Sequence, residues 1–353
     1  MRRGLLVDLA VAAAAFAVIV ALPVIFPSPA LRDFVIYVMA YGLLALSLNL
    51  LTGYTGLVSF GHAAYFASGA YAFGLLMQSG AFSVPVALVL AIAITALFAL
   101  VVGAICVRLT EIYFAFLTLA FQMLFHSVIL TWVSLTGGDQ GLMGGIPRTR
   151  FLGIDLRDPT TFYVFCAVLF VGSALVLRLI TQSPFGYTLR LIRDNPQRAA
   201  FLGVNVNRVK LLAFVLAGTF ASVGGIILAL FASGAYPEFA FWTTSGEAIF
   251  MVMLGGTQVF IGPLVGAITL QTLNHFVTIY TEHYELVLGI VILVAVLGLR
   301  RGIADFVWEK MDDASRRSAR RTPPPRTAEV LPQAPRAGAP AAPKAAPRQR
   351  EDL

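Results

Sequence analysis

Few residues in this 353-residue chain could do chemistry, and most of them are embedded in apolar sequence. Asn49, Ser59, His62, Thr118, Gln122, His126, Gln271 and Asn274 each lie within or beside a hydrophobic run. A polar side chain is costly in hydrocarbon, so such groups face a bundle interior or a water-filled path. Each alone accounts for no more than a helix-to-helix hydrogen bond. Together they imply a polar interior through which a solute could pass. Glu247 precedes a glycine-rich break, where a carboxylate would complement a helix N-terminus as a cap. A proton relay at Glu247 would need a partner carboxylate or histidine at matching depth, and the sequence identifies none.

Covalent chemistry has no recognisable signature. The chain holds no Gly-x-x-x-x-Gly-Lys-Ser/Thr phosphate loop, no His-Glu-x-x-His and no Gly-x-Ser-x-Gly. Its three lysines, Lys210, Lys310 and Lys344, lack the glycine spacing of an ATPase site. His62, His126, His275 and His283 do not have metal-ligand spacing, and Cys106 and Cys166 lie in separate apolar runs. The reading is therefore no catalytic residue, no metal and no cofactor in this chain. Any uphill movement must draw its energy from a partner or an ion gradient.

The elements that position these residues are membrane helices. Hydrophobic residues make up 58% of the chain and charged residues 12%, against about 25% charged in soluble domains. Apolar runs occur at 5–26, 34–52, 63–78, 84–107, 113–133, 161–182, 211–232 and 284–299. About 20 residues suffice to cross a hydrocarbon core about 30 Å thick. Continuous runs, without period-two alternation, exclude a closed barrel. The fold class is all-α, a polytopic transmembrane bundle of about eight spans. The first run, behind Arg2 and Arg3, is too long for a cleaved signal. Asp8 at its start reads as interfacial. An apolar body at 1–303 is followed by a basic, Pro/Ala-rich tail at 304–353 that cannot build a packed core. Much of the +7 net charge resides in that tail, so it does not signal nucleic-acid binding; an anionic membrane surface is the alternative partner.

Lys and Arg accumulate on the cytoplasmic side of a membrane, which places Arg2, Arg3, Arg108 and the 183–210 loop inside. Arg148, Arg150 and Arg157 then fall outside, balanced by Asp139, Asp155 and Asp158. A cytoplasmic tail requires an even number of crossings after Lys210, so residues 247–280 must cross twice or not at all. Their Leu254-Gly255-Gly256-Thr257 and Gly262-Pro263 mark where a helix would break and reverse. A re-entrant hairpin lining the path is expected, the alternative being one tilted helix with the tail outside. Thr52-Gly53-Tyr54-Thr55-Gly56 with Ser59-Phe60-Gly61-His62 is a second break, either a discontinuous helix or a tight turn. The expected path residues are Asn49, Gly53, Gly56, Ser59, His62, Thr118, Gln122, Glu247, Gly255 and Gly256.

In the 183–210 loop, Ser183-Pro184-Phe185-Gly186 interrupts the preceding span, and Leu189 to Leu202 reads as one short amphipathic helix in which apolar residues alternate with Arg190, Arg193 and Arg198. It is either a solvated loop held inside by its arginines or a helix that docks a cytoplasmic partner.

A family resemblance begins at this loop. Ser183-Pro184-Phe185-Gly186, Ile192-Arg193-Asp194-Asn195, Phe201-Leu202-Gly203 and Lys210-Leu211-Leu212-Ala213-Phe214 resemble the cytoplasmic loop of branched-chain amino acid ABC permeases of the LivM type. Leu48-Asn49-Leu50, Gly61-His62-Ala63-Ala64-Tyr65-Phe66, Ile112-Tyr113-Phe114-Ala115, Thr136-Gly137-Gly138 and Leu254-Gly255-Gly256 are similar to other family blocks in the same order. The resemblance covers roughly residues 34–303.

It implies an ABC importer permease fold and an inner-membrane subunit that carries branched-chain or other hydrophobic amino acids. Urea, amides or small carboxylates are the related alternatives; a secondary transporter, a channel and a membrane enzyme are the rivals from other classes. The implied partners are a homologous second permease, a pair of cytoplasmic ATPases that use ATP, a periplasmic binding protein and membrane lipid, with no nucleic acid. The outer segments 134–160 and 234–246 would meet the binding protein. The implied coupling residues are Gly186, Arg190, Arg193, Asp194, Arg198, Ala199 and Gly203. Importers of this kind carry a Glu-Ala-Ala triplet with a downstream glycine. Here Gly203 matches the glycine, but Gln197, Arg198 and Ala199 occupy the triplet.

Overall fold

Proline sets where many of the helices begin, because a first turn leaves unpaired the very amide that proline lacks. In the computed structural model, the described residues are 2–280 except Thr110, Met143, Gly144, Thr149 and Leu152, together with 286, 287, 289, 290, 293, 302–307, 309 and 310. Helix α1 (Arg2–Ile25) precedes α2 (Pro29–Thr55), α3 (His62–Gln78), α4 (Val84–Cys106), α5 (Glu111–Thr131) and the single turn α6 (Val133–Thr136). After a short antiparallel ladder, Arg150–Phe151 on Ile154–Asp155, come α7 (Pro159–Gln182), α8 (Pro184–Asp194), α9 (Pro196–Phe201) and α10 (Val206–Ala232). Helices α11 (Trp242–Gly255) and α12 (Gly262–Tyr280) complete the series. Ser28, Asp158 and Asn195, each just before a proline, accept an amide of the first turn and cap α2, α7 and α9. Each such cap contributes about 1 kcal/mol.

Among the described residues, six helices are long and apolar enough to cross a membrane: Leu5–Ile25, Pro29–Thr55, Val84–Cys106, Ile112–Thr131, Pro159–Gln182 and Val206–Ala232. They coincide with six of the eight apolar runs. Helix α3 matches a seventh but has only 17 residues. Most of the run at 284–299 falls outside the described residues.

Helix α2 is the centre of the body. Its most apolar window is 78% buried, against 6% for α1, which packs mainly on α7. Helices α2, α3 and α10 approach closely because small residues face one another. Gly69 lies on the backbone of Ser222, Gly225 on the carbonyl of Phe66 and Gly224 on the carbonyl of Ala40. Without a hydrophobic driving force between helices in lipid, such backbone proximity supplies much of the attraction.

Side-chain contacts sort the helix ends into two sets. At one end Arg178 of α7 pairs with Asp8 of α1 at 2.6 Å, and Arg193 of α8 donates to the carbonyl of Gly53 in α2. Asp8 is only 4% exposed, and the arginine placed across from it balances its charge. At the other end Arg148 donates to the carbonyls of Leu230 and Phe231, 3.0 and 2.8 Å away, and stacks over Phe162. Its charge complements the C-terminus of α10. The segments after α5 and α10 also meet there, through Leu142 N–H to Ala235 O and Ile146 N–H to Ser233 O.

The 247–280 stretch is broken at 256–261, and the chain reverses. Gly255 lies against Gly262, and Gly266 against the carbonyl of Met251, so α11 and α12 pack antiparallel with no side chain between them. A single tilted helix is thereby excluded. The compact body runs to Glu309, past the expected boundary at 303, because residues 302–307 pack on the α11–α12 turn. Most of the Pro/Ala-rich tail lies outside the described residues.

Candidate functional site

Two sites emerge, a polar junction inside the bundle and the 183–210 segment, whose helix α8 packs on the end of α2. The junction forms where α3 and α11 begin. Helix α2 ends at Thr55, with Gly56 left-handed at φ 76°, and residues 56–61 then lead to an α3 that starts beside the interior of α2, not beside its end. His62 Nε2 lies 2.9 Å from Ser47 Oγ, and Ser47 is more than two helical turns before Thr55. The second sequence break is therefore a six-residue connection after an unbroken α2, folded back so that the first turn of α3 is buried.

That first turn is capped from another element. The amide of Ala63 donates to Ser245 Oγ at 2.9 Å, and Ser245 Oγ donates to Gln122 Oε1 at 2.7 Å. Gln122 Nε2 in turn donates to the carbonyl of Ala240 at 3.1 Å. One glutamine of α5 thus ties the beginnings of α3 and α11 together. Gly61 fits here because its backbone lies against the carbonyl of Thr118. The Thr118 hydroxyl itself donates within α5, to Ala115 O.

Among the described residues, Asn49 Oδ1, Ser59 Oγ, His62 Nδ1 and Tyr71 OH are buried without a hydrogen-bond partner. Such groups are rare in a stable interior and mark places that do more than pack. Asn49 and His62 flank the 56–61 connection, and Ser59 lies within it. Asn49 also lies against Gly53, and Gly53 against the carbonyl of Thr257 in the α11–α12 turn.

The remaining sequence candidates divide. Glu247 is in the second turn of α11, which begins at Trp242, so it is not the cap expected of it; the helix starts earlier, after a turn at Pro237–Ala240. Gly255 and Gly256 form the tight α11–α12 reversal, with Gly256 at φ 103°. His126 packs its ring on Phe241 at 5.1 Å. Gln271 and Asn274 are remote from the junction. With Asp33, Tyr37 and His275 they line a separate groove of about 480 Å³ between α2, α10 and α12. No set of three His, Cys, Asp or Glu side chains suited to a metal occurs among the described residues.

In the 183–210 segment, the one helix expected over Leu189 to Leu202 is two. Asn195 is extended (φ −162°, ψ 102°) because a residue before proline avoids helical geometry, and its side chain caps α9 by accepting from Arg198 N–H. Helix α8 turns Leu189 and Ile192 inward, while Arg190 stacks over Tyr54 at 5.0 Å and Arg193 grips Gly53. Arg190 and Arg193 therefore fasten α8 to the end of α2. Gly186 permits the bend out of α7, lying on the carbonyl of Thr181.

Helix α9 is the exposed part. Ala199 is buried beneath it, whereas Phe201 is 92% and Leu202 69% exposed beside Arg198; Asp194, just before α9, is exposed too. Gly203 ends the helix at φ 85°, with Val204 N–H bonded to Ala199 O and Gly203 N–H to Ala200 O. That pair of bonds is a Schellman ending, which wants glycine. The residues that the spacing argument missed are Ser47, Ser245 and Asp305. Ser245 alone had a signal, its place just before a glycine-rich apolar run.

Comparison with known proteins agrees with this architecture. Residues 30–297 match the family described as the branched-chain amino acid transport system permease component. The high-affinity branched-chain amino acid transport system permease proteins LivM of Salmonella typhimurium and Escherichia coli K12 are each 26% identical over 280 residues, 73% of this chain and 66% of theirs. The ribose import permease protein RbsC of Bacillus subtilis is 34% identical over 164 residues, 42% of this chain and 47% of its own. The chain thus spans just under two thirds of the length of the LivM proteins. No solved structure matches.

Proposed function

Because this chain belongs to the family of branched-chain amino acid transport system permease components, we propose that it forms the membrane path of an ABC importer for branched-chain or other hydrophobic amino acids. The observation that carries the proposal is the division of labour between α8 and α9. A rigid α8, fastened to the core helix α2 by Arg193, presents Phe201 and Leu202 of α9 unpaired on the surface. An exposed aromatic of this kind is a typical interface anchor. A cytoplasmic ATPase that grips α9 would move α2, and with it the 56–61 connection, as a rigid body.

The path itself runs along the junction of α3 and α11. Helix starts inside the bundle place backbone polar groups at depth, tolerated only where they are buried in protein or line a water-filled cavity. Asn49, Ser59 and His62 keep unpaired buried atoms beside that junction and can meet a passing solute. Permeation needs no covalent step, and hydrolysis takes place on the ATPase. The chain lies in a bacterial inner membrane with its basic end, including Arg193 and Arg198, in the cytoplasm. A homologous second permease completes the path, and a periplasmic binding protein selects the solute.

The test is reconstitution in proteoliposomes with the second permease, the ATPase pair and the binding protein, measuring leucine uptake with and without ATP. Uptake that needs ATP and the binding protein is expected. Uptake by this chain alone, driven by a proton or sodium gradient, refutes the importer. ATP-dependent uptake of urea, amides or short carboxylates in place of leucine leaves the mechanism and corrects the substrate.

A further inference from the structure

The cytoplasmic turn of the α11–α12 hairpin is held by one carboxylate. Asp305 Oδ2 accepts the amides of Thr257 and Gln258, both at 3.1 Å, and Oδ1 accepts that of Val259 at 3.0 Å. Three successive N–H groups converging on an anion form a backbone nest, whose partial charges favour a full negative charge. Two glycines make the approach possible. A Cβ on Gly256 would lie 2.5 Å from Asp305 Cγ, and one on Gly302 would lie 2.5 Å from the Cα of Gly256. Asp305 is 8% exposed, so water contributes little to holding the turn.

The same turn touches the coupling path. The carbonyl of Thr257 abuts Gly53, and the carbonyl of Gly53 accepts from Arg193 of α8. Arg193, Gly53, Thr257 and Asp305 therefore form one contiguous layer from the ATPase-facing segment to the intramembrane hairpin.

We propose that Asp305 is a positioning residue that latches the α11–α12 turn to the end of α2, so that movement of α8 is passed to α11 and not dissipated in a loose loop. This rests on the importer reading for its functional half, while the latch itself is geometric. Removing the latch should uncouple ATP hydrolysis from transport without dismantling the complex.

Asp305→Asn is the informative change. The amide keeps one acceptor oxygen but turns an NH₂ toward amides that the carboxylate had accepted, at nearly constant volume. In hydrogen exchange on the complete transporter, protection of the 257–259 amides should fall roughly tenfold, the equivalent of one lost charge-assisted bond. In proteoliposomes the ATPase should co-purify in normal amount and hydrolyse ATP, while uptake per ATP falls roughly fivefold. Unchanged protection overturns the latch. Normal uptake per ATP, including the case where uptake and hydrolysis fall in step with less assembled complex, overturns the coupling role. If the unaltered transporter shows no ATP-driven uptake, the importer reading and with it the coupling role are lost, whereas the exchange arm still decides the latch.

Discussion

Ser245→Ala tests the buried junction most directly. Ser245 is fully buried and bridges Ala63 N–H and Gln122 Oε1, so the alanine removes two bonds at once and leaves a donor and an acceptor without partners. The Ala63 amide belongs to a first turn and has no partner within its own helix, so it bears the full cost of an unmade bond, about 1–3 kcal/mol. The Gln122 oxygen sits on a side chain that can rotate, and inter-helix bonds of that kind average about 0.6 kcal/mol in membranes. The sum is about 1.6–3.6 kcal/mol. Unfolding of the purified chain by SDS in mixed micelles, followed by circular dichroism, measures it. Gln122→Ala should be destabilising as well, since it also forfeits the bond to Ala240 O. The two changes share a bond, so the double variant should be less destabilised than their sum by about 1 kcal/mol. A Ser245→Ala loss under about 0.5 kcal/mol, or strict additivity of the pair, would show that the network is not what joins α3 to α11.

Other sites give sharper yes-or-no outcomes. Gly203→Asp places a side chain at φ 85° in open space, so the body should insert and fold normally while co-purification of the ATPase is lost; unaltered co-purification rules out α9 as the docking site. Arg148→Ala should destabilise the chain by about 2 kcal/mol in the same SDS titration, because it forfeits two charge-assisted bonds to the end of α10, and Arg148→Lys should recover less than half of that since lysine cannot fork. The amide of Thr161, with its hydroxyl, holds the Asp158 carboxyl below its ordinary pKa. A lowered folded-state pKa means that the α7 cap is fully effective above the ordinary carboxylate range and fails as pH drops through the folded value. Exchange of the Thr161 amide should therefore accelerate in acid beyond its intrinsic rate, and Asp158→Asn, itself a good cap, should abolish that extra acceleration.

What could be read from the sequence was set by physics that acts locally. The spans are legible because hydrocarbon thickness fixes how long an apolar run must be, and the α11–α12 reversal because a Gly-Gly and a Gly-Pro pair coincide with a failure of charge parity. Pro196 is a break the sequence displays, although the Leu and Arg spacing on either side of it matches a continuous helix. The junction was legible only in part. Gln122 and His62 stand out in apolar sequence, but serines do not, and the partner of Ser245 is 123 residues away. Asp305 has no signal in the sequence, because nothing in its neighbourhood shows that three amides from another loop converge on it. Glu247 misled for the opposite reason: the start of α11 carries no side-chain cap, so the carboxylate five residues later looked like the boundary.

The pairing of Asp8 with Arg178 bears on how the protein is made. The two residues are 170 positions apart, and α1 packs chiefly on the helix that carries Arg178. At about 5–20 residues per second of synthesis, roughly 9–34 seconds separate the emergence of the carboxylate from that of its guanidinium. During that interval the Asp8 carboxylate lacks the guanidinium that balances it in the folded chain, so α1 must wait to be seated. Arrival of α7 ends the wait, which makes seating of the first helix a late event of biogenesis and a natural quality-control step for chains that stall before residue 178.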